Sequence, residues 1–210
     1  MHNKQEEFWA GQFGDQYTDR NINIDQSTYN KVGITRTAMN QDFLDCLDIN
    51  NILEVGCNRG EQLNCLYQSN KERDYYGIDI NEHALHEARE NNLNLNVVKG
   101  SALDIPFKDN YFDLVFTSGV LIHIHPNDLK QVMSEIYRCS KKYIWSFEYF
   151  SVDCKEINYR NNEGFLWKNN FSRLYQEYFP DLKLVKEEFY EYRDGSDNID
   201  DMFLLRKENE

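Results

Sequence analysis

Short apolar runs alternate with helix-like stretches over residues 51–149. The first run, Asn51–Val55, stops at Gly56 and predicts a buried strand. Further strands are predicted over Tyr75–Ile80, Leu95–Lys99, Phe112–Thr117 and Tyr143–Phe147, with helices over Gly60–Gln68, Glu82–Asn91 and from Asn127 or Asp128 to Cys139. Because strands that alternate with helices are joined by right-handed crossovers, this order predicts a parallel sheet whose ligand lies at the carboxyl ends of the strands.

The two flanks follow other patterns. The polar and aromatic N-terminal part predicts a helix over Tyr29–Cys46, and Lys168–Phe179 predicts another near the C-terminus. Leu182–Tyr190 and Asp201–Leu205 predict two strands joined by the turn Asp194-Gly195-Ser196. We therefore predict one α/β domain with a Rossmann-like, seven-stranded, mostly parallel sheet, an antiparallel C-terminal hairpin and an N-terminal helical lid. Its segments are 1–50 (lid and helix), 51–149 (core) and 150–210 (substrate-side segment and hairpin).

Composition narrows the classes of partner. The 210 residues carry a formal net charge of −13, which repels nucleic acids and anionic membranes, so we expect a small-molecule partner. The five cysteines contain no C-x-x-C spacing, so neither a disulfide framework nor a metal site is expected. The sequence shows neither a signal peptide nor an apolar run of membrane-spanning length, so a cytoplasmic location is expected. The charge neither requires nor excludes a dimer.

The turn after the first strand carries the first chemical signal. Two glycines, Gly56 and Gly60, flank this turn before a helix begins, where a ligand can approach the backbone closely. Asp79 ends the next strand about twenty residues further on, the position of a ribose-binding carboxylate in nucleotide-binding α/β folds. A dinucleotide site needs G-x-G-x-x-G, but Asn58 and Glu61 occupy its second and third glycine positions. Because Glu61 would repel a pyrophosphate, a cationic ligand without phosphate, such as S-adenosylmethionine, suits this turn better.

Four motifs in order resemble those of class I S-adenosylmethionine-dependent methyltransferases. They are E-x-G-x-N-x-G (Glu54–Gly60), G-I-D-I (Gly77–Ile80), G-S-A-L-D-I-P-F (Gly100–Phe107) and F-D-L-V-F (Phe112–Phe116). The flanks are similar to the methylases associated with pseudaminic acid biosynthesis. The matching pieces are Phe8–Tyr17 with Arg20-Asn21, Gly119–Ile124 with Pro126, Glu156–Arg160 and Phe179–Val185.

The resemblance implies roles for the cofactor-side residues. Gly56, Asn58 and Gly60 would shape the loop around the methionine moiety, and Glu54 would hold that loop in place. Asp79 would accept hydrogen bonds from both ribose hydroxyls. The remaining implied positions are Ile80 on adenine, Ser101 and Ala102 at the adenine edge, Ser118 and Gly119 beside the transferred methyl, and Trp9 and Tyr17 in the lid. Many relatives carry Asp at the Ser101 position to accept from the adenine amino group, and this chain departs from them there.

Candidate catalytic groups follow the fourth strand. His123 is the predicted general base because histidine titrates near neutrality and an acceptor would lie close by. Tyr17 is the second candidate base. The alternatives for His123 are capping or packing of the next helix and metal binding, although no cluster supplies further ligands. His125 is interpreted as structural.

The remaining candidates concern the lid and the acceptor. Trp9, Phe13, Tyr17 and Arg20 fit either a lid that excludes water from the cofactor or an ordinary amphipathic flap. The predicted substrate-side residues are Arg20, Glu148, Tyr149, Tyr159 and Arg160. Arg160 suits a carboxylate or phosphate, or else is a solvated surface arginine.

We predict methyl transfer from S-adenosylmethionine, with S-adenosylhomocysteine as product, to an oxygen or nitrogen of a small molecule. The resemblance favours a surface-glycan or capsule precursor, such as a nonulosonic acid or a phosphorylated intermediate. Three alternatives remain: a dinucleotide-dependent sugar-modifying enzyme, a non-catalytic module that binds S-adenosylmethionine, and a methyltransferase acting on nucleic acid or protein. The net charge disfavours a nucleic-acid substrate.

Overall fold

A seven-stranded sheet forms the centre of the protein. The computed structural model describes residues 3–21 and 32–208. The strands of this sheet are β1 (Asn51–Val55), β2 (Asp74–Asp79), β3 (Asn96–Lys99), β4 (Phe112–Ser118), β5 (Ser140–Tyr149), β8 (Leu182–Glu191) and β9 (Ile199–Lys207), and a separate two-stranded sheet pairs β6 (Lys155–Glu156) with β7 (Trp167–Lys168). The order across the seven-stranded sheet is β3-β2-β1-β4-β5-β9-β8. The helices are α1 (Lys4–Ala10), α2 (Gln12–Arg20), α3 (Arg36–Leu44), α4 (Glu61–Ser69), α5 (Glu82–Asn91), α6 (Leu129–Cys139) and α7 (Phe171–Tyr178), with a 3₁₀ turn at Leu121–His123.

The pairing confirms the predicted fold class. Strands β1 to β5 are parallel, whereas β9 runs antiparallel between β5 and β8. The chain order reverses between β1 and β4, so a crevice opens where the loops after these two strands diverge. The sheet thus presents the loops after β1, β2, β3 and β4 along one edge.

Alternating side chains of the central strands build a core on each face. Leu53 and Val115 pack into the cluster that contains α6 and α7. Ile52, Leu114 and Phe116 pack into the opposite cluster with α3, α4 and α5. Because the strands are covered on both faces, nearly every position along β1 and β4 is buried, including the polar residues Glu54, Asp113 and Thr117. This double cover holds the loop ends of β1 and β4 rigidly.

Element boundaries differ from the sequence predictions mainly at the flanks. The helix predicted over Tyr29–Cys46 is α3, which begins after Thr35, whose hydroxyl accepts from the amide of Ala38 at 3.2 Å. Residues 29–31 of that prediction lie outside the described residues. The helix predicted over Lys168–Phe179 begins only at Phe171, because Lys168 belongs to β7 and the side chain of Asn170 caps the helix.

Two buried carboxyl groups face each other across the β5–β9 pair. Glu148 and Asp201 are register partners, and each is 1% exposed. The carboxylate of Asp201 has no hydrogen-bond partner among the described residues. Burial raises the pKa of Asp201 to about 8 and that of Glu148 to about 7. Asp201 therefore holds its proton at neutral pH inside the fold.

The retained proton makes stability depend on pH. In the unfolded chain an Asp ionises near pH 4, so above that pH the folded state binds more protons than the unfolded state. The contribution of Asp201 to stability is therefore fully present below about pH 4 and is lost as the pH rises through about 8.

We expect Asp201→Asn to remove this dependence. The melting temperature of the variant relative to wild type should rise as the pH goes from about 5 to about 9, because the amide cannot ionise. Thermal unfolding followed by circular dichroism at several pH values measures the difference. Asp197→Asn, at an exposed position, is the matched control and should track wild type at every pH. A difference between Asp201→Asn and wild type that stays constant with pH would contradict the assignment.

Candidate functional site

A cavity of about 240 Å³ lies over the carboxyl ends of β1 to β4, beneath α1 and α2, which we call the lid (Lys4–Arg20). Eleven of the twelve predicted cofactor-binding residues line it: Trp9, Tyr17, Glu54, Gly56, Asn58, Asp79, Ile80, Ser101, Ala102, Ser118 and Gly119. His123 also lies in its wall. The predicted constellation is therefore brought together by four strand-end loops and the lid.

Asp79 is the best-fixed polar group of the cavity. One carboxylate oxygen accepts from the amide of Asn58 at 2.7 Å, and the other accepts from the amide of Asn81 at 2.9 Å. Asn58 can present its amide in this way because it adopts a left-handed conformation (φ +46°) after Gly56 (φ +74°). Since each carboxylate oxygen has two lone pairs, both can still accept from a ligand. Burial raises the pKa of Asp79, which a ligand's hydroxyl donors would offset.

Gly60 is not among the residues that line the cavity, unlike Gly56, the other glycine of the turn. A Cβ added at Gly60 (φ +77°) would lie 2.8 Å from the side chain of Leu95. This glycine therefore lets the start of α4 pack closely against Leu95, and its role at a bound ligand stays a prediction.

Two buried polar atoms in the cavity wall lack a partner among the described residues. They are Oε2 of Glu54, a side chain that is 3% exposed, and the indole N–H of Trp9. Burial raises the pKa of Glu54 well above its ordinary value. The backbone at Gly119 is also open, since a Cβ there would meet no atom within 4 Å. An acceptor, a donor and bare backbone thus face the space where a ligand would lie.

His123 is held in one tautomer. Its Nδ1 lies 2.7 Å from the carbonyl oxygen of Phe165, which can only accept, so Nδ1 carries the proton and Nε2 does not. Burial lowers the pKa of His123 to about 4, so the imidazole is neutral at pH 7. Its ring lies 4.5 Å from that of Trp9 and 4.9 Å from that of Tyr159. The histidine is therefore a positioned hydrogen-bond acceptor and a weak base.

Tyr17 is less suited to the role of base. Burial raises the pKa of its phenol, so the hydroxyl stays protonated at neutral pH. Its ring packs edge-on to Trp9 at 5.4 Å. Tyr17 can therefore donate a hydrogen bond and exclude water from the cavity.

None of the five predicted substrate-side residues lines the cavity itself. Tyr159 comes nearest, through its ring contacts with Trp9 and His123. Glu148 is buried, and its two oxygens accept from the amides of Val120 and Ile122 at 3.2 and 3.4 Å. It therefore holds the loop after β4. Because it is buried and does not line the cavity, it is not placed to meet an acceptor there, which differs from the sequence prediction.

The other three candidates lie further out. Arg20 is exposed and stacks over the rings of Phe13 and Tyr17, and Arg160 is exposed in a turn. Tyr149 lies at the end of β5, where the ammonium of Lys168 is 5.5 Å from its ring centre. Arg20 and Arg160 remain accessible to a substrate anion in these positions.

Sequence reasoning missed a buried arginine behind the cavity. Arg36 is 6% exposed, donates to the hydroxyl of Ser118 at 2.9 Å and to Asn40 at 3.2 Å, and lies 3.7 Å over the ring of Phe147. It comes from α3, and no local pattern marks it. Its contacts fix Ser118 at the end of β4.

The charge of the cavity limits what it can bind. Glu61, at the first turn of α4, lines the cavity together with Glu54 and Asp79.

Within residues 3–21 and 32–208 no group of three or more His, Cys, Asp or Glu side chains could hold a metal ion. No helix in these ranges is both long and apolar enough to cross a membrane.

Comparison with known proteins gives a family match over the central segment. Residues 52–143 match the methyltransferase domain family. The 24-methylenesterol C-methyltransferase 2 of Arabidopsis thaliana is 34% identical over 96 residues, which cover 43% of this chain and 26% of that protein. The chain therefore spans only about a quarter of the length of this curated relative.

Solved structures resemble the whole chain. The putative methyltransferase solved in complex with the Haloferax volcanii Trm112 methyltransferase activator has a TM-score of 0.72 at 13% identity, covering 99% of both chains. An S-adenosylmethionine-dependent methyltransferase from Methanosarcina mazei has a TM-score of 0.64 at 17% identity, covering 82% of this chain and 98% of that one. At these identities the likeness concerns the fold. The match of residues 52–143 to the methyltransferase domain family extends over less than half of the chain and agrees with this fold.

Proposed function

We propose that this protein transfers the methyl group of S-adenosylmethionine to an oxygen or nitrogen of a small-molecule acceptor. The observation that carries the proposal is the Asp79 carboxylate, fixed at the cavity by the amides of Asn58 and Asn81. Two fixed acceptor oxygens suit the two vicinal hydroxyls of a ribose.

The other cavity groups fit the rest of this cofactor. The unpartnered oxygen of Glu54 would accept from the ammonium of the methionine moiety, and that contact would offset the cost of burying the carboxylate. Ile80 and Ala102 offer an apolar surface to adenine. Glu61 argues against the dinucleotide alternative, because a pyrophosphate at the start of α4 would meet a carboxylate.

The cofactor, when bound, supplies a methyl group activated by a sulfonium. The chain supplies alignment and a dry cavity. Trp9 and Tyr17 exclude water from above, and their ring faces favour a cation nearby. The unprotonated Nε2 of His123 would accept a hydrogen bond from the acceptor and orient its lone pair toward the methyl group. With a pKa of about 4, the histidine acts mainly by orientation and takes the proton as the new bond forms.

The acceptor we propose is a precursor of a surface glycan or capsule, a nonulosonic acid or a phosphorylated sugar. The resemblance of the flanking segments to methylases associated with pseudaminic acid biosynthesis supports this class. The exposed guanidinium groups of Arg20 and Arg160 are consistent with an anionic acceptor.

The deciding experiment is calorimetric titration of the protein with S-adenosylhomocysteine and, separately, with NAD. We expect micromolar binding of the first ligand and none of the second. Failure to bind S-adenosylhomocysteine, or a preference for NAD, would overturn the proposal. Binding without transfer to any acceptor would favour a non-catalytic binding module.

Asp79→Ala should weaken S-adenosylhomocysteine binding by about 100-fold, because two charge-assisted hydrogen bonds to the ribose are lost. Calorimetry measures the affinity, and circular dichroism checks the fold. Asp74→Asn, at the exposed start of the same strand, is the matched control and should bind as wild type does. Unchanged affinity in Asp79→Ala would place the ribose elsewhere.

Two variants of His123 separate its two nitrogens. His123→Asn can still donate to the carbonyl of Phe165 but lacks the acceptor at Nε2, so it should bind S-adenosylhomocysteine normally and lose at least about 100-fold in transfer rate. His123→Gln, which can reach the Nε2 position, should keep part of the rate.

The transfer rate is measured by mass spectrometry of S-adenosylhomocysteine formed with free and phosphorylated nonulosonic acids. Because the pKa of His123 is about 4, the wild-type rate should show no inflection from this residue between about pH 6 and 8. Normal turnover by His123→Asn would instead assign the residue a packing role.

A further inference from the structure

Glu6 brings a carboxylate from the lid to the wall of the cavity, beside the loop after β3. It lies in the first turn of α1, yet one of its oxygens accepts a hydrogen bond from the hydroxyl of Ser101, in the loop after β3. The other oxygen accepts from the amide of Asn3 at 3.2 Å. The hydroxyl of Ser101 in turn accepts from the amide of Leu103 at 3.0 Å. The carboxylate is thus fixed at a defined point of the cavity wall.

The cavity that Glu6 lines offers apolar surface to a planar base. Ala102 and Leu103 follow Ser101 along the chain, and Ile80 and Ile124 line the same cavity. An ionised carboxylate can only accept hydrogen bonds, and each of its oxygens has two lone pairs. A ligand edge placed against Glu6 must therefore carry an N–H or O–H donor, whereas a carbonyl there would set acceptor against acceptor.

The strand order sets which end of the cofactor reaches this point. Glu54 on β1 and Gly119 after β4 face the methionine end, and Asp79 on β2 faces the ribose, under the proposed function. Along the order β3-β2-β1-β4, the base continues from Asp79 toward β3, where Ser101 and Glu6 meet.

We propose that Glu6 recognises the exocyclic amino group of adenine and so selects an adenine nucleoside over one with a carbonyl at that position. This inference rests on the proposed function. An acidic side chain in the loop after β3 could accept from the adenine amino group, but this chain carries Ser101 there. The inference therefore assigns that hydrogen bond to a residue of the lid. The hydroxyl of Ser101 then positions the carboxylate and does not itself meet the base.

This arrangement ties the lid to the cofactor. Asp79 belongs to the sheet and Glu6 to the lid, so a bound nucleoside bridges the two. Further contacts hold α1 in place, from the side chain of Asn3 to Asp128 at 3.0 Å and from that of Gln5 to the carbonyl of Gly164 at 3.2 Å. The adenine edge is therefore read only when α1 is docked.

The test compares two ligands that differ at the base edge alone. S-adenosylhomocysteine and S-inosylhomocysteine, in which a carbonyl replaces the amino group, are titrated calorimetrically into wild type, Glu6→Gln and Glu7→Gln. Glutamine retains the length of Glu6 and the N-terminal capping box of α1, so the helix is preserved. Glu7 is exposed on the same turn and serves as the matched control.

We expect wild type and Glu7→Gln to prefer the adenosyl ligand by about 10- to 100-fold, the value of one charge-assisted hydrogen bond. In Glu6→Gln the preference should fall to within about threefold, because an amide both accepts and donates. An unchanged ratio, or equal weakening of both ligands, would show that Glu6 only holds the lid and would overturn the inference. If wild type bound neither ligand, the proposed function itself would fail, and this assignment with it.

Discussion

The two hydrogen bonds that Asp79 accepts from backbone amides organise the site more than any other interaction. One fixes Asn58 in the turn after β1, and the other fixes Asn81 at the start of α5. Asn81 then caps α5 by accepting from the amide of Ala84 at 2.7 Å. Its side chain also donates to the carbonyl of Trp9 and to Asp15, at 3.0 and 2.8 Å. The Asp79 carboxylate thus fixes the turn after β1, the start of α5 and, through Asn81, the contact between the sheet and the lid.

Several acidic side chains are buried around the cavity, at a cost in free energy. Glu54, Glu61 and Asp79 all have their pKa raised by desolvation, so each is held in a place where its charge is costly. A cationic ligand with hydroxyl donors would relieve that cost, and an anionic ligand would increase it. The net negative charge of the whole chain is thus also found in the cavity, where it favours a cationic ligand over an anionic one.

The sheet and most residues of the cavity wall could be predicted because their signals are local. Apolar runs that end at glycine or aspartate, such as Asn51–Val55 before Gly56, define both a strand and the loop that follows it. Asp79 was found in the same way, from its position at a strand end. Each of these residues lies within a few positions of the strand pattern that predicts it.

What the sequence did not reveal depends on contacts between distant segments. Glu6 and Ser101 are 95 positions apart, and Arg36 and Ser118 are 82 apart. Gly60 follows the turn after β1, where a ligand can approach the backbone. Its lack of a side chain, however, also lets the start of α4 pack against Leu95. Glu148 looks accessible at the end of a strand, yet it is buried outside the cavity lining and bonded to two loop amides. No local pattern carries such information.

The contact between the lid and the segment after β5 has a consequence for the order of events in a catalytic cycle. Phe8 stacks on Phe165 at 3.9 Å, and the carbonyl of Phe165 anchors His123. Under the proposed function, displacing α1 to exchange one nucleoside for another would therefore loosen His123, the residue proposed to orient the acceptor. Nucleoside exchange and acceptor alignment would then exclude each other. On that basis we expect compulsory-order kinetics, with the nucleoside binding first and leaving last.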